Sequence, residues 1–541
     1  MNDLNIGHRR LVFFSVFEMV FIIAMALVPL FTTFPYRVNI FLSWEGAYRM
    51  SEGQIPYRDF GMPMGYMFWV IPAIFFKIFG AQLITLVKAQ VLINIISGFA
   101  FRSILKSLYV QPGARLLSVI VYVISFSFFN FWPWYNHTVI VYEMIGLAFL
   151  LRYLSRDEKK WFWPALSAMF IFFSFFTKQD GGGLALMLCL ALLIYYALSV
   201  KNWKPLIIFC ASFLIVAFAL IAPLMRYNFG YWFNHGQPPH TARFSIFDIA
   251  DEFFIGSYWI KFYLFLIVLI SLTVFKRPSN IITQKRDGLF LLLTLGILAE
   301  ATIFQVTSYT PPDNNIFYHS FAFAFIITFL SPRLNLNLNL WKPLLTSAVF
   351  ILLWWSNVYW KYFQRIVNRF APVEKTVSSS GENIVNRKTY MLVQDTSEVP
   401  LSEWTFTSLH SFRKIYMPRP TVEGINRLLQ MDVVKNHPRV LNMSELTPLV
   451  REIPYQEETG ADIPLWYHLG VSMFNRQAAE YESKIRNHEY DLVLFEYIPT
   501  LNNFYPFRIR NSLRQYYHIK DSFYAPRRGG ETKGMIEVYT K

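Results

Sequence analysis

Charge is scarce in this chain. Of its 541 residues 16% are Asp, Glu, Lys or Arg, against roughly 25% in soluble domains, and 54% are hydrophobic. A water-soluble globular fold is excluded. Cysteine is nearly absent: Cys189 and Cys210 both fall in apolar runs and read as small buried hydrophobes, so no disulfide framework or thiol chemistry is expected. No solenoid-type repeat occurs, and the one short biased run, LNLNLNL at 334–340, reads as a polar connector. The His235 and His240 spacing matches no metal signature. Neither a metal nor a cofactor is expected.

What the chain does have is apolar runs of membrane length. They lie at about 11–34, 64–79, 82–105, 116–134, 138–154, 161–177, 183–200, 205–225, 258–275, 287–308, 316–330 and 340–359. The chain is therefore a multi-pass α-helical membrane protein. Its net charge of +15 reads as basic cytoplasmic loops, not as a nucleic-acid surface. Arg9 and Arg10 precede a run long enough to stay as an anchor, and with His8 they put the N-terminus inside.

Charge also tests the count. If 64–79 crossed, Arg102, Lys106 and Arg115 would be external and every later basic loop would be inverted. That segment is short, carries Pro63, Pro72 and Lys77, and suits a helix lying in the outer interface. About eleven crossings are then expected, plus one in-plane helix on the outer face. This parity puts on one external face the outer loop 35–81, the turns 132–137, 177–180 and 308–315, the loop 227–257 and everything after the last span. The domains are a transmembrane part over 1–360 and an external α/β domain over 361–541. In the latter YDLVLFEYIP (490–499) and GMIEVYTK (534–541) read as strands, and 464–487 has helical spacing.

Within this frame the outer loop concentrates chemistry. Residues 45–59, EGAYRMSEGQIPYRD, put Glu45, Arg49, Glu52, Arg58 and Asp59 between two apolar segments. Hydrocarbon cannot hold so many charges, so they sit in water or in a polar cavity. A carboxylate at such a boundary can deprotonate a hydroxyl, which makes Glu45 and Asp59 the candidate bases. The alternative is a solvated helix with Glu45 and Arg49 as an i,i+4 pair. Lys178, Gln179 and Asp180, ahead of three glycines, offer a phosphate or sugar contact or else a simple interfacial cap. His137, in an aromatic turn with Trp132, Trp134 and Tyr135, could contact phosphate, as could Arg226 and Arg243 in the long outer loop. Tyr318 and His319 are weaker neighbours. Glu18, Glu143 and Glu300 lie inside spans as scattered acids.

These motifs resemble the GT-C class of glycosyltransferases, bacterial type. The loop GQIPYRDFGMPMGY with an apolar segment ending in KIFG is similar to the first external loop of such enzymes, as are the WPWYNH and FFTKQDGG turns. The resemblance covers roughly the first 340 residues in layout, and a periplasmic α/β tail is common in the class; it implies a bacterial inner (plasma) membrane, with the 361–541 domain in the periplasm. It implies transfer of a sugar from a polyprenyl-phosphate donor to a glycan, lipid or protein acceptor at the outer face. Members usually carry an early aspartate in this loop. Asn39 stands at that register here, so the role of base passes to Glu45 or to Asp59, or transfer activity is lost. Arg58 and Lys178, joined by Arg226 or Arg243, would then hold the departing lipid phosphate. Two other functions remain open: a transporter or flippase of lipid-linked substrates, which calls for paired intramembrane charges and repeated halves, and a non-catalytic assembly or binding platform, which Asn39 favours.

Overall fold

A computed structural model describes residues 2–31, 34–36, 40–126, 131–156, 159–233, 245–277, 279–307, 317–356, 359–360, 383–385, 392–394, 399, 403–465, 467, 471–499, 505–526 and 534–541. Asn39, His235, His240, Arg243, the 308–315 turn and residues 361–382 lie outside the described residues, as do the side chains of His8, Arg9 and Arg10. By their internal contacts the residues fall into two units. One comprises Met1–Phe31, Gln90–Leu220 and Arg243–Val367; the other comprises Thr32–Ala89, Ile221–Ala242 and Asn368–Lys541. The outer-loop residues thus group with the C-terminal residues, which sequence distance alone does not suggest.

The first unit is helical. Among the described residues, Val12–Phe31, Leu83–Ser107, Tyr135–Ser155, Gln179–Val200, Lys204–Leu224 and Lys285–Thr307 are long and apolar enough to cross a membrane. Ile246–Ile255 and Tyr258–Val274 add a seventh if the pair, bent by 81° at the break between them, is one span. Every apolar run of the sequence is helical over most of its length, but several of these helices have only 13–17 residues. At 1.5 Å per residue such helices span about 20–25 Å, less than the roughly 30 Å hydrocarbon core. Length alone therefore leaves the number of crossings to the charge pattern. Residues 334–340 form turns, not a strand.

Burying a charge in this bundle demands a partner, and the acids find them. Glu18, fully buried, accepts from Arg102 Nε at 2.6 Å and from Arg115 Nε at 2.9 Å. Glu143 and Glu300, also buried, share a hydrogen bond between their carboxyl groups. The expectation of scattered in-span acids is thus corrected: helix packing brings together residues that hydropathy keeps apart.

The second unit contains a four-stranded sheet. Val440–Met443 runs parallel to Leu492–Tyr497, which is antiparallel to Met535–Thr540, itself antiparallel to His518–Tyr524. Alternate residues of Leu492–Tyr497 face a core with Tyr481 and Ile485 of the helix Phe474–Arg486 and with Ile509 and Leu513 of Phe507–Tyr516. The C-terminal region is an α/β fold, with strands in both places where hydrophobic runs predicted them. A smaller sheet places Phe34–Pro35 parallel to Ile415–Pro418, so the start of the outer loop is a strand of C-terminal architecture.

After that strand the loop forms the helix Ile40–Ser51, buried from Ile40 through Arg49, and then the helix Met67–Phe79. The two cross at Gly46, where a Cβ atom would lie 2.1 Å from the ring of Trp69. Trp69 is fully buried and its Nε1 donates to the Leu42 carbonyl at 2.9 Å, so the ring has nowhere to retreat. Gly46→Ala is expected to destabilise the protein by about 1–3 kcal/mol through overpacking, read as a lower unfolding temperature in detergent; an unchanged temperature would contradict this packing.

Candidate functional site

The burial of the helix Ile40–Ser51 carries Glu45 and Arg49 into the interior of the second unit. One turn apart, they pair at 3.1 Å. The solvated i,i+4 pair is therefore not what forms: the pair is present, but it is buried, while Glu52 is exposed. Arg49 is held by more than Glu45. Its Nε lies 3.4 Å from Oε2 of Glu457, and its Nη1 donates to the Glu458 carbonyl at 3.0 Å and to Gln54 Oε1 at 3.2 Å.

Two carboxyls thus share one guanidinium in a place with little water. Burial pushes the Glu45 carboxyl up to about 8; Arg49 opposes the shift and the nearby Glu457 adds to it. Burial raises Glu457 as well, again against the pull of Arg49. Near neutral pH the trio can hold a proton that a solvated carboxylate pair would give up.

Glu45, Arg49 and Glu457 line a cavity of about 80 Å³ together with Thr447, Tyr455 and Tyr481. Asn442 and Ser444 supply further polar wall, with Ser444 Oγ donating to Asn442 Oδ1 at 2.6 Å. Glu457 and Glu458 also border an adjoining, more open groove of about 810 Å³ that includes Arg439 and Lys484.

Asp59 has a different setting. Its carboxylate accepts from Arg58 in a fork, Nε to Oδ1 at 2.9 Å and Nη2 to Oδ2 at 2.6 Å, and from the Ile55 amide at 2.7 Å. The Arg58 hydrogen bonds hold it below the usual carboxylate range, despite partial burial. Its carbonyl accepts from Gly460 N at 2.8 Å, and Gly61 exchanges backbone bonds with Ile463 and Leu465. Asp59 therefore sits where the loop is stitched to residues 460–465. Arg58 is partly exposed. Arg226 lies on the surface of the same unit with its guanidinium 4.8 Å from the Tyr227 ring.

The remaining candidates belong to the helical unit. Lys178 Nζ pairs with Asp180 at 2.9 Å and lies over the rings of Tyr135 at 5.7 Å and Phe304 at 4.9 Å. The 177–180 turn therefore meets Tyr135 of the 132–137 turn. Gln179 begins the helix that carries Asp180, and His137 lies in the first turn of Tyr135–Ser155. His319 is buried with a ring nitrogen 2.8 Å from the Tyr263 hydroxyl.

Sequence reasoning missed Glu457, Thr447 and Tyr455. The acidic pair Glu457–Glu458 in PYQEETG is the only local signal, and Arg49 and Glu458 are 409 positions apart. Among the described residues no group of three or more His, Cys, Asp or Glu side chains is placed to hold a metal ion.

No family model matches the chain, and no curated protein matches it. Among solved structures it is similar to ArnT from Cupriavidus metallidurans in the apo state, with 11% identity, a TM-score of 0.49 and coverage of 97% of this chain and 98% of that one. It is similar also to ArnT from Cupriavidus metallidurans bound to undecaprenyl phosphate, with 11% identity, a TM-score of 0.46 and 97% of each chain covered. Likenesses this weak leave the functional reading to the chain's own residues.

Proposed function

We propose that this protein is an inverting-type membrane glycosyltransferase that moves a sugar from a polyprenyl-phosphate donor to a hydroxyl acceptor on the external face. The observation that carries the reading is Glu45: a buried carboxyl raised to about 8, locked by Arg49 and open to a polar cavity. General bases work best with a pKa near the operating pH. A chain of membrane spans with outer-loop motifs resembling GT-C enzymes supplies the lipid-linked context.

In the reaction the acceptor oxygen attacks the anomeric carbon while the bond from that carbon to the phosphate oxygen breaks. The hydroxyl proton passes to the Glu45 carboxylate, and the electron pair leaves with the polyprenyl phosphate. Cationic stabilisation of that leaving group is the main electrostatic demand. Arg58 is a partly exposed cation of the loop's own unit, and Lys178 is the candidate of the helical unit.

Purified protein in proteoliposomes, given a panel of radiolabelled polyprenyl-phosphate sugars, should transfer label to membrane acceptors. Failure with every donor, in protein shown to be folded, would overturn the reading. The transporter alternative gains one observation, the Glu143–Glu300 carboxyl pair inside the bundle; movement of the lipid-linked sugar across the bilayer without transfer would favour it.

A further inference from the structure

The cavity beside Glu45 has more hydrogen-bonding wall than proton abstraction needs. The Thr447 hydroxyl is buried there and has no hydrogen-bond partner among the described residues. An unmade hydrogen bond in such a place is costly, which points to a ligand group that completes it. Tyr455 and Tyr481 line the same cavity, and burial keeps their hydroxyls in the neutral, proton-donating form. Glu45 and Glu457 flank Arg49, and one proton between the two carboxyls makes the trio donor and acceptor at once.

The same composition rejects other ligands. With one proton on the two carboxyls the trio carries no net charge to draw in a phosphate or a carboxylate, and Arg49 occupies the place a cation would need. A lipid tail would strand the polar wall. What fits is a neutral ring whose hydroxyls both donate and accept and whose C–H face rests on tyrosine rings. By volume the cavity holds roughly six water-sized sites, about the bulk of one such ring. The adjoining groove, reached past Glu457 and Glu458, has room for the rest of the molecule.

We propose that this cavity binds a single neutral sugar ring at the end of the acceptor, so that the C-terminal residues supply acceptor recognition through Glu457, Thr447 and Tyr455. Only the word acceptor rests on Glu45 being the base; the ring site stands on its own geometry.

Saturation-transfer NMR on the full-length protein in detergent, with methyl glycosides of neutral hexoses, an amino sugar and a uronic acid, tests this. The neutral hexosides should bind in preference to the uronate. Thr447→Val, which keeps the side chain's shape, should weaken binding roughly three- to tenfold and Glu457→Gln roughly tenfold or more. Arg427→Ala, at an exposed pair with Asp521 elsewhere in the unit, should leave it unchanged. Preference for the uronate, no binding of any neutral hexoside, or wild-type binding by both cavity variants in folded form would overturn the proposal. Cavity-dependent binding without any transfer would sink the transferase reading and leave the sugar site standing. Transfer without cavity-dependent binding would do the reverse.

Discussion

Glu45→Gln is expected to lower sugar transfer by about 10²- to 10⁴-fold, the usual weight of a positioned general base. Glutamine keeps the side-chain length and an oxygen for Arg49 to donate to, so the loss reads proton transfer and not collapse of the cavity. The pH profile supplies an independent check. With the carboxyl raised to about 8, the ionised form able to accept a proton is the minor one at neutrality. Transfer by the wild type should fall about tenfold for each unit below pH 8 and level off above it.

Stability should move the opposite way. The folded Glu45 carboxyl titrates above its unfolded value, so the folded state holds a proton that the unfolded chain has already lost. Its contribution is fully present below the unfolded value, near 4.5, and is lost as pH rises through about 8. Glu45→Gln removes that dependence, and its unfolding temperature should vary less than that of the wild type across this window. Asp59→Asn gives the contrast. Asp59 is held low by Arg58 and ties the loop at Ile55, so its loss should shift loop stability and leave the inflection near pH 8 in place. A Glu45→Gln enzyme with wild-type rate, or an inflection that vanishes in Asp59→Asn instead, would exchange the two roles.

Particular residues show what could be read in the sequence and what could not. The helical membrane class follows from apolar run length, because a bilayer imposes one length scale on every span. The strands at Leu492–Tyr497 and Met535–Thr540 were legible because burial on both faces leaves near-continuous apolar runs. The pairing of Glu45 with Arg49 was legible too, since i,i+4 spacing places them together on any helix. Its burial was not. Burial comes from Trp69 packing over Gly46 and from the segment 457–465 closing over the loop, and neither contact has a sequence period. Glu457 was invisible for the same reason. Glu143 and Glu300 met because two helices far apart in the chain pack with those faces inward, a choice hydropathy alone does not encode.

Arg49 carries the second large effect. Its guanidinium is the cation between Glu45 and Glu457, and it also reaches Gln54 and the Glu458 carbonyl. Arg49→Met keeps much of the stem and removes the charge, leaving both carboxyls buried beside a thioether. Removing one partner of a buried ion pair costs about 3–5 kcal/mol, because the remaining charge has lost its compensation. The cost must depend on pH with a definite sign. In acid both carboxyls are neutral and little is lost with the arginine, whereas in alkali they ionise with no counter-ion, so the variant's deficit should widen as pH rises. A second substitution isolates the cause. If uncompensated acid is the source, Arg49→Met combined with Glu457→Gln should be more stable at high pH than Arg49→Met alone. Denaturation of the four proteins of this cycle at pH 6 and pH 9 decides it. A deficit of equal size at both pH values, unrelieved by Glu457→Gln, would mean that Arg49 acts through packing alone and that the carboxyl pair does not share its charge.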